Sequence, residues 1–194
     1  MELDRSISIW IISVSTALSF LGTVFVLVSY CCVDALKRIP AFKIIVHLAL
    51  ADFYYVFMGL VNVIFFQNSS GEIDADTCTV LGFIGEHAAL AAANWAFTFS
   101  YTMYGFYVHK FKSQRDVRRK FLKYSVISWF SPLIPSILGL YFDGYGPSAL
   151  YCWIKSQELV LIIALLYAPM GILVILLIYF YARIVFSLRH QSSD

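Results

Sequence analysis

Asp52 is the residue whose chemistry is hardest to ignore. It closes the run Leu48-Ala49-Leu50-Ala51-Asp52 inside a long apolar stretch. A carboxylate in hydrocarbon costs at least about 2.5–3.5 kcal/mol, so it must face other helices, an ion or water. It is either a functional polar centre or a structural hydrogen-bonding residue within a bundle. Glu86 and His87 form a second polar pair, and Asn94 follows about two helical turns later on roughly the face of His87. Glu86 could line a cavity or pair with a cation, or sit close enough to an interface to stay wet. Asn94 could serve a ligand or bond between helices. His47 reads as a satisfied bundle residue. No Ser, His and acid spacing recurs on one face, no phosphate-binding loop appears, and the histidines are too isolated for a metal. The residues therefore point away from an enzyme, and no metal or cofactor is implied.

The elements that must hold these residues are membrane-spanning. The chain has 194 residues, 60% hydrophobic and 13% charged, with mean hydropathy +0.77. A soluble domain carries about 25% charge. The net charge of +2 gives no reason to expect nucleic acid as a partner. A bilayer core of about 30 Å needs about 20 helical residues. Five stretches serve: Ile7 to Cys32, Lys43 to Phe66, Val80 to Val108, Tyr124 to Tyr141 and Leu159 to Phe186. They lack period-two alternation, so the expected fold is an all-α membrane protein of five transmembrane helices in one domain, 1–194. The N-terminus carries Glu2 and Asp4 beside Arg5, unlike a cleavable leader, so the first run is expected to remain as a span.

Basic residues set the orientation. With the N-terminus outside, Lys37, Arg38, Lys43, Lys110, Lys112, Arg115, Arg118, Arg119, Lys120, Lys123, Arg183 and Arg189 all fall in the cytoplasm, and only Arg5 and Lys155 fall outside. The stretch from Lys110 to Lys120 would meet a cytoplasmic partner or anionic lipid, or merely set topology. The same topology puts Asn68 of Asn68-Ser69-Ser70 outside, a possible N-glycosylation site. It also puts Cys78 and Cys152 in an oxidising compartment, either as a disulfide or as two free thiols. Cys31 and Cys32, at the cytoplasmic end of the first span, could be acylated but read rather as buried or idle thiols. Gly82, Gly85 and the alanines between Ala88 and Ala93 let neighbouring backbones come close. Pro132 and Pro135 interrupt the fourth span and Pro169 the fifth, where kinks could shape a cavity.

Taken as a set, these residues resemble the first five helices of a G-protein-coupled receptor. Leu48 to Asp52 is similar to the second-helix motif whose aspartate forms the central polar and sodium site. Cys78 and Cys152 resemble the disulfide pair between the third helix and the second outer loop, Trp129 the fourth-helix tryptophan, and Pro169 the fifth-helix proline. Trp129 to Ile137, and Tyr151-Cys152-Trp153-Ile154 followed by Tyr167-Ala168-Pro169, look most like the cyclic-AMP-receptor-like group, with secretin-type receptors sharing part of this. The third helix ends Tyr101-Thr102-Met103-Tyr104-Gly105-Phe106-Tyr107 without an Asp-Arg-Tyr motif, unlike rhodopsin-like receptors.

The resemblance implies signal reception at the plasma membrane. An extracellular ligand would sit near Glu86, His87, Asn94, Trp153 and Tyr167, and a heterotrimeric G protein would be the partner. A cyclic nucleotide suits the outer half poorly, since it offers only Arg5, Lys155 and His87 to a phosphate. No sixth or seventh helix follows within these 194 residues, so the expectation is a receptor truncated or split after its fifth helix. The alternative is a receptor fold reused as a scaffold or accessory subunit of a larger membrane complex. Half of a five-plus-five transporter is weaker, because nothing resembles an unwound, Gly-flanked ion site.

Overall fold

A computed structural model describes residues 2–68, 74–108, 114–148 and 151–191. The elements in chain order are α1 (Glu2–Cys32), α2 (Asp34–Lys37), α3 (Pro40–Asn68), α4 (Ala75–Tyr107), α5 (Gln114–Phe130), α6 (Leu133–Tyr141), β1 (Tyr145–Pro147), β2 (Cys152–Ile154), α7 (Leu159–Leu161), a π-helical turn (Ile162–Tyr167) and α8 (Ala168–Gln191). Four stretches are long and apolar enough to cross a membrane: Val14–Cys32, Ala41–Phe65, Arg119–Tyr141 and Leu159–Arg189. Their apolar side chains face outward, as Leu18, Phe25, Ile64, Ile134 and Ile175 do. That is the pattern of helices solvated by lipid rather than water.

The remaining long helix, α4, is organised differently. At 33 residues it is about 50 Å long. It packs against α3, α5, α6, α8 and both strands. Asp74 caps its start, accepting a hydrogen bond from the Thr77 amide at 3.3 Å. Glu86, His87 and Asn94 dilute its apolar character, and the helices around it shield them. The small residues make this position possible. Gly82, Gly85, Ala88, Ala89 and Ala91 are all buried in its contact faces.

Proline shapes two of the outer helices. Pro132 has no N–H for the Ser128 carbonyl, and the α5–α6 helix pair breaks at Ser131-Pro132. The Ser131 amide still closes the end of α5 on Ile127 O at 3.0 Å. The Ser136 hydroxyl and amide both return to Pro132 O, at 2.9 and 3.3 Å. Pro135 lies within the first turn of α6, where a missing N–H costs least. Pro169 is preceded by the π-helical turn, in which the Ala168 amide bonds Ile163 O. The extra residue in that turn absorbs the hydrogen-bond defect that proline introduces.

The purely helical expectation needs one correction. Residues 142–158 contain an antiparallel hairpin, with Tyr145 opposite Ile154, Gly146 opposite Trp153 and Pro147 opposite Cys152. Asp143 enters it with φ 49°, a left-handed conformation that short polar side chains tolerate. The Gly144 amide bonds Gly139 O at 2.8 Å, so the hairpin grows directly from the end of α6. Three residues per strand, two of them glycine and proline in β1, give too weak a pattern to read as strands in the sequence.

Candidate ligand site beneath the hairpin

Three helices hold the hairpin. Cys152 is bonded to Cys78 of α4, with Cα atoms 5.1 Å apart. Asn62 of α3 then clamps the same residue. Its amide nitrogen donates to Cys152 O at 2.7 Å, and its oxygen accepts from Cys152 N at 2.8 Å. Cys152 and Pro147 form a non-hydrogen-bonded pair of the ladder, so the N–H and C=O of Cys152 face away from β1, and the Asn62 amide satisfies both. The third attachment is Tyr145, which is 1% exposed. Its hydroxyl donates to Glu86 Oε2 and faces Ser136 O at 3.1 Å.

Two glycines admit that ring. A Cβ on Gly139 would lie 2.5 Å from Tyr145 Oη, and one on Gly82 would lie 2.9 Å from Cδ1. Neither position could hold alanine without moving the ring. Phe83 meets it edge-on at 6.4 Å, and Ile154 and Leu165 complete the apolar surround. Burial above all, then the hydrogen bond and charge of Glu86, push the Tyr145 phenol well above the ordinary tyrosine range. The phenol therefore remains a donor. Glu86 is fully buried, and its Oε1 has no hydrogen-bond partner among the described residues.

A second polar layer lies deeper along α4. His87 Nε2 meets Trp129 O at 3.1 Å, and a carbonyl can only accept, so Nε2 carries the proton. Nδ1 lies 3.4 Å from the Tyr54 hydroxyl. Asn94 Nδ2 donates to Ser131 Oγ at 3.0 Å, beside the Pro132 break. Thr98 and Ser128 share a hydrogen bond at 2.8 Å one turn further on. Trp95, fully buried, packs on His47 at 4.8 Å and on Trp129 at 6.0 Å.

The residues singled out in the sequence therefore divide. Glu86, His87 and Asn94 all lie on α4, but each bonds to different protein groups. Trp153 is half-buried against Gly85, where a Cβ would lie 2.9 Å from Cζ3, and meets Tyr151 edge-on at 6.0 Å. Tyr167 is largely exposed. Burial raises the Tyr151 phenol, and Tyr55 and Tyr167 close by raise it further. Asp52 is half-buried on α3, and no hydrogen bond or ion pair reaches it among the described residues. Lys110 and Lys112 lie outside the described residues. Arg115 and Arg118 fall in α5, where Arg119 and Lys120 are exposed. Asn68 ends α3, and the rest of its sequon lies outside the described residues. Tyr145, Asn62, Ser136 and Gly139 were not singled out. A lone amide within an apolar span was the available signal for Asn62. For Tyr145 the signal was only a pair of flanking glycines.

A helix bundle capped by a disulfide-tethered hairpin has recognisable relatives. The family profile described as 7 transmembrane receptor (Secretin family) matches residues 6–194. The chain belongs to that receptor family. A relative, G-protein coupled receptor 1 of Arabidopsis thaliana, is 25% identical over 153 residues, covering 79% of this chain and 43% of that protein. Squid rhodopsin shares the fold, with TM-score 0.73 at 16% identity, over 94% of this chain and 52% of its own. The receptor chain thus spans about half the length of the relatives it matches. Its fold and family are those of an integral membrane, receptor-type protein.

Proposed function

We propose that this chain is the ligand-facing part of a G-protein-coupled receptor, its remaining helices supplied by a longer chain or by another one. Five helices would cross the membrane, α4 among them, with the N-terminus outside and the C-terminus cytoplasmic. The distribution of Lys and Arg supports that orientation. The plasma membrane is the proposed location, and Asn68 would be available for glycosylation outside. The observation that carries the reading is the Cys78–Cys152 disulfide, which fixes a structured hairpin over the buried polar face of α4. A ligand would bind from outside near Glu86, His87, Asn94, Trp153 and Tyr167. A heterotrimeric G protein would meet the end carrying Lys110, Lys112, Arg115, Arg118, Arg119 and Lys120. Trp129 to Ile137 and Tyr151 to Ile154 support affinity to the cyclic-AMP-receptor-like group within the wider superfamily.

One observation favours a second reading. Asp52, without a partner among the described residues, invites a polar group from elsewhere. In a scaffold or accessory subunit that group would come from another membrane chain. Membranes containing the chain, prepared with and without a heterotrimeric G protein, separate the two. In the receptor reading, small molecules that raise its unfolding temperature also raise guanine-nucleotide exchange. A chain that purifies only in fixed stoichiometry with another membrane subunit, and stimulates no exchange, is the scaffold instead.

A further inference from the structure

The Tyr145 side chain fills a slot with a defined chemistry. Its faces are set by Gly82 on α4 and Gly139 on α6, where a Cβ would strike the ring. Phe83, Ile154 and Leu165 supply apolar walls. At the hydroxyl end, both described groups that meet it are acceptors: Glu86 Oε2 and Ser136 O. Glu86 Oε1, buried beside them, has no partner among the described residues. A flat apolar slot ending in acceptors suits an aromatic ring that carries a hydroxyl. A chain-like ammonium would leave the flat walls unfilled, and an anion would meet a carboxylate.

The segment filling this slot is the weaker strand of its hairpin. Cys152 in β2 is held by the disulfide and by both ends of the Asn62 amide. Tyr145 in β1 has no covalent tether: it is held by its own side chain, by the ladder, and by flanking backbone bonds from Gly144 N to Gly139 O, Lys155 N to Gly144 O and Ser148 N to Tyr151 O. Gly144 and Gly146 flank it, without side chains of their own to anchor the strand. β1 can therefore leave by breaking hydrogen bonds alone, while β2 keeps its covalent anchor.

We propose that this slot is a binding site for a hydroxyaryl group, occupied here by the chain's own Tyr145, and that a phenolic ligand takes it by displacing β1. Tyr145 is then a tethered self-ligand, and withdrawal of β1 is the first structural consequence of binding. This rests on the reading of the hairpin end as the ligand-binding end.

The test compares p-cresol with toluene, which has the same ring without the hydroxyl. In purified Tyr145→Ala, p-cresol should raise the unfolding temperature with an affinity at least about tenfold above that of toluene, as expected for one buried hydrogen bond to a carboxyl group. In Glu86→Leu/Tyr145→Ala that preference should disappear. Equal binding of the two compounds to folded Tyr145→Ala, or a preference that survives loss of Glu86, overturns the proposal. Should Tyr145→Ala not fold, the unaltered chain decides. There p-cresol, unlike toluene, should speed amide hydrogen exchange at residues 144–146 and leave α4 unchanged. No such selective increase up to the solubility limit overturns it. A phenol that seats but drives no nucleotide exchange removes the receptor reading and leaves the slot standing. A slot indifferent to the hydroxyl removes only this inference.

Discussion

The two ends of the bundle are built by different rules. At the hairpin end, a disulfide, a doubly bonded amide and a buried phenol tie residues 145–154 to three helices. At the opposite end the described polar side chains are mostly exposed. Arg38, Arg119, Lys120 and Lys123 are exposed, Cys31 and Cys32 are exposed thiols, and Lys37 pairs with Asp34 at 2.7 Å on the surface. The hairpin end stakes its stability on a few buried contacts that fail if any partner is removed. The basic end spreads charge over solvated groups, none of which is individually decisive. One end is shaped to hold a geometry, the other to present charge.

This contrast predicts a descending series of effects. Removing the disulfide should do most: Cys78→Ser should cost about 2–5 kcal/mol of stability. A thermal melt without reductant should show the drop, and unaltered chain melted in reductant should show the same drop. Equal melting of the variant and the oxidised parent would mean that the hairpin does not depend on this tether. Asn62→Leu comes next. It leaves the Cys152 N–H and C=O buried without partners, at about 2–4 kcal/mol. Hydrogen exchange at the Cys152 amide should rise sharply, while exchange along α1 stays as it was.

Gly139→Ala should cost about 1–3 kcal/mol by forcing the Tyr145 ring from its slot. Combined with Tyr145→Ala it should cost much less than the two separate losses together, because the clash then has no target. Strict additivity in denaturant titrations would show that the ring is not what Gly139 accommodates. The basic end supplies the smallest effect. Its hydrogen bond to Lys37, with the neighbouring positive charge, holds the Asp34 carboxyl below the ordinary carboxylate range. A lowered folded-state pKa stabilises above the unfolded value and is lost as pH falls through the folded one. Both groups are fully exposed, so Asp34→Asn should leave the melting temperature at neutral pH unchanged within error. A measurable fall would mean that the basic end is more tightly built than its exposure indicates.

Much of the architecture could be read from the residues alone. Long apolar runs without alternation can satisfy their backbones in lipid only as helices, and the descriptions of α1, α3 and α8 follow from that. The break at Pro132 follows from a missing N–H. The pairing of Cys78 with Cys152 was favoured by resemblance, and the structure joins them. Glu86 shows where such reading stops. A carboxyl group in an apolar helix must find a partner, but which one depends on what packs beside it. Here that is a tyrosine 59 residues later in a loop of weak pattern. Asp143 to Ile154 could not be read as a hairpin because three-residue strands with glycine and proline carry no usable period.

By itself, the sequence determined what depends on composition and local covalent chemistry: membrane residence, helical class, the clustering of basic residues between alternate spans, and the helix interruptions at proline. Only the tertiary structure decided which polar groups meet. It turned Glu86 from a cavity-lining candidate into the seat of Tyr145, gave Asn62 to Cys152, and left Asp52 half-buried without a described partner. The physical reason is range. Hydrophobicity and backbone hydrogen bonding act on each residue and its near neighbours along the chain. Contacts across dozens of residues exist only once the packing of small residues, Gly82 and Gly139 above all, has set how closely the helices and the hairpin approach.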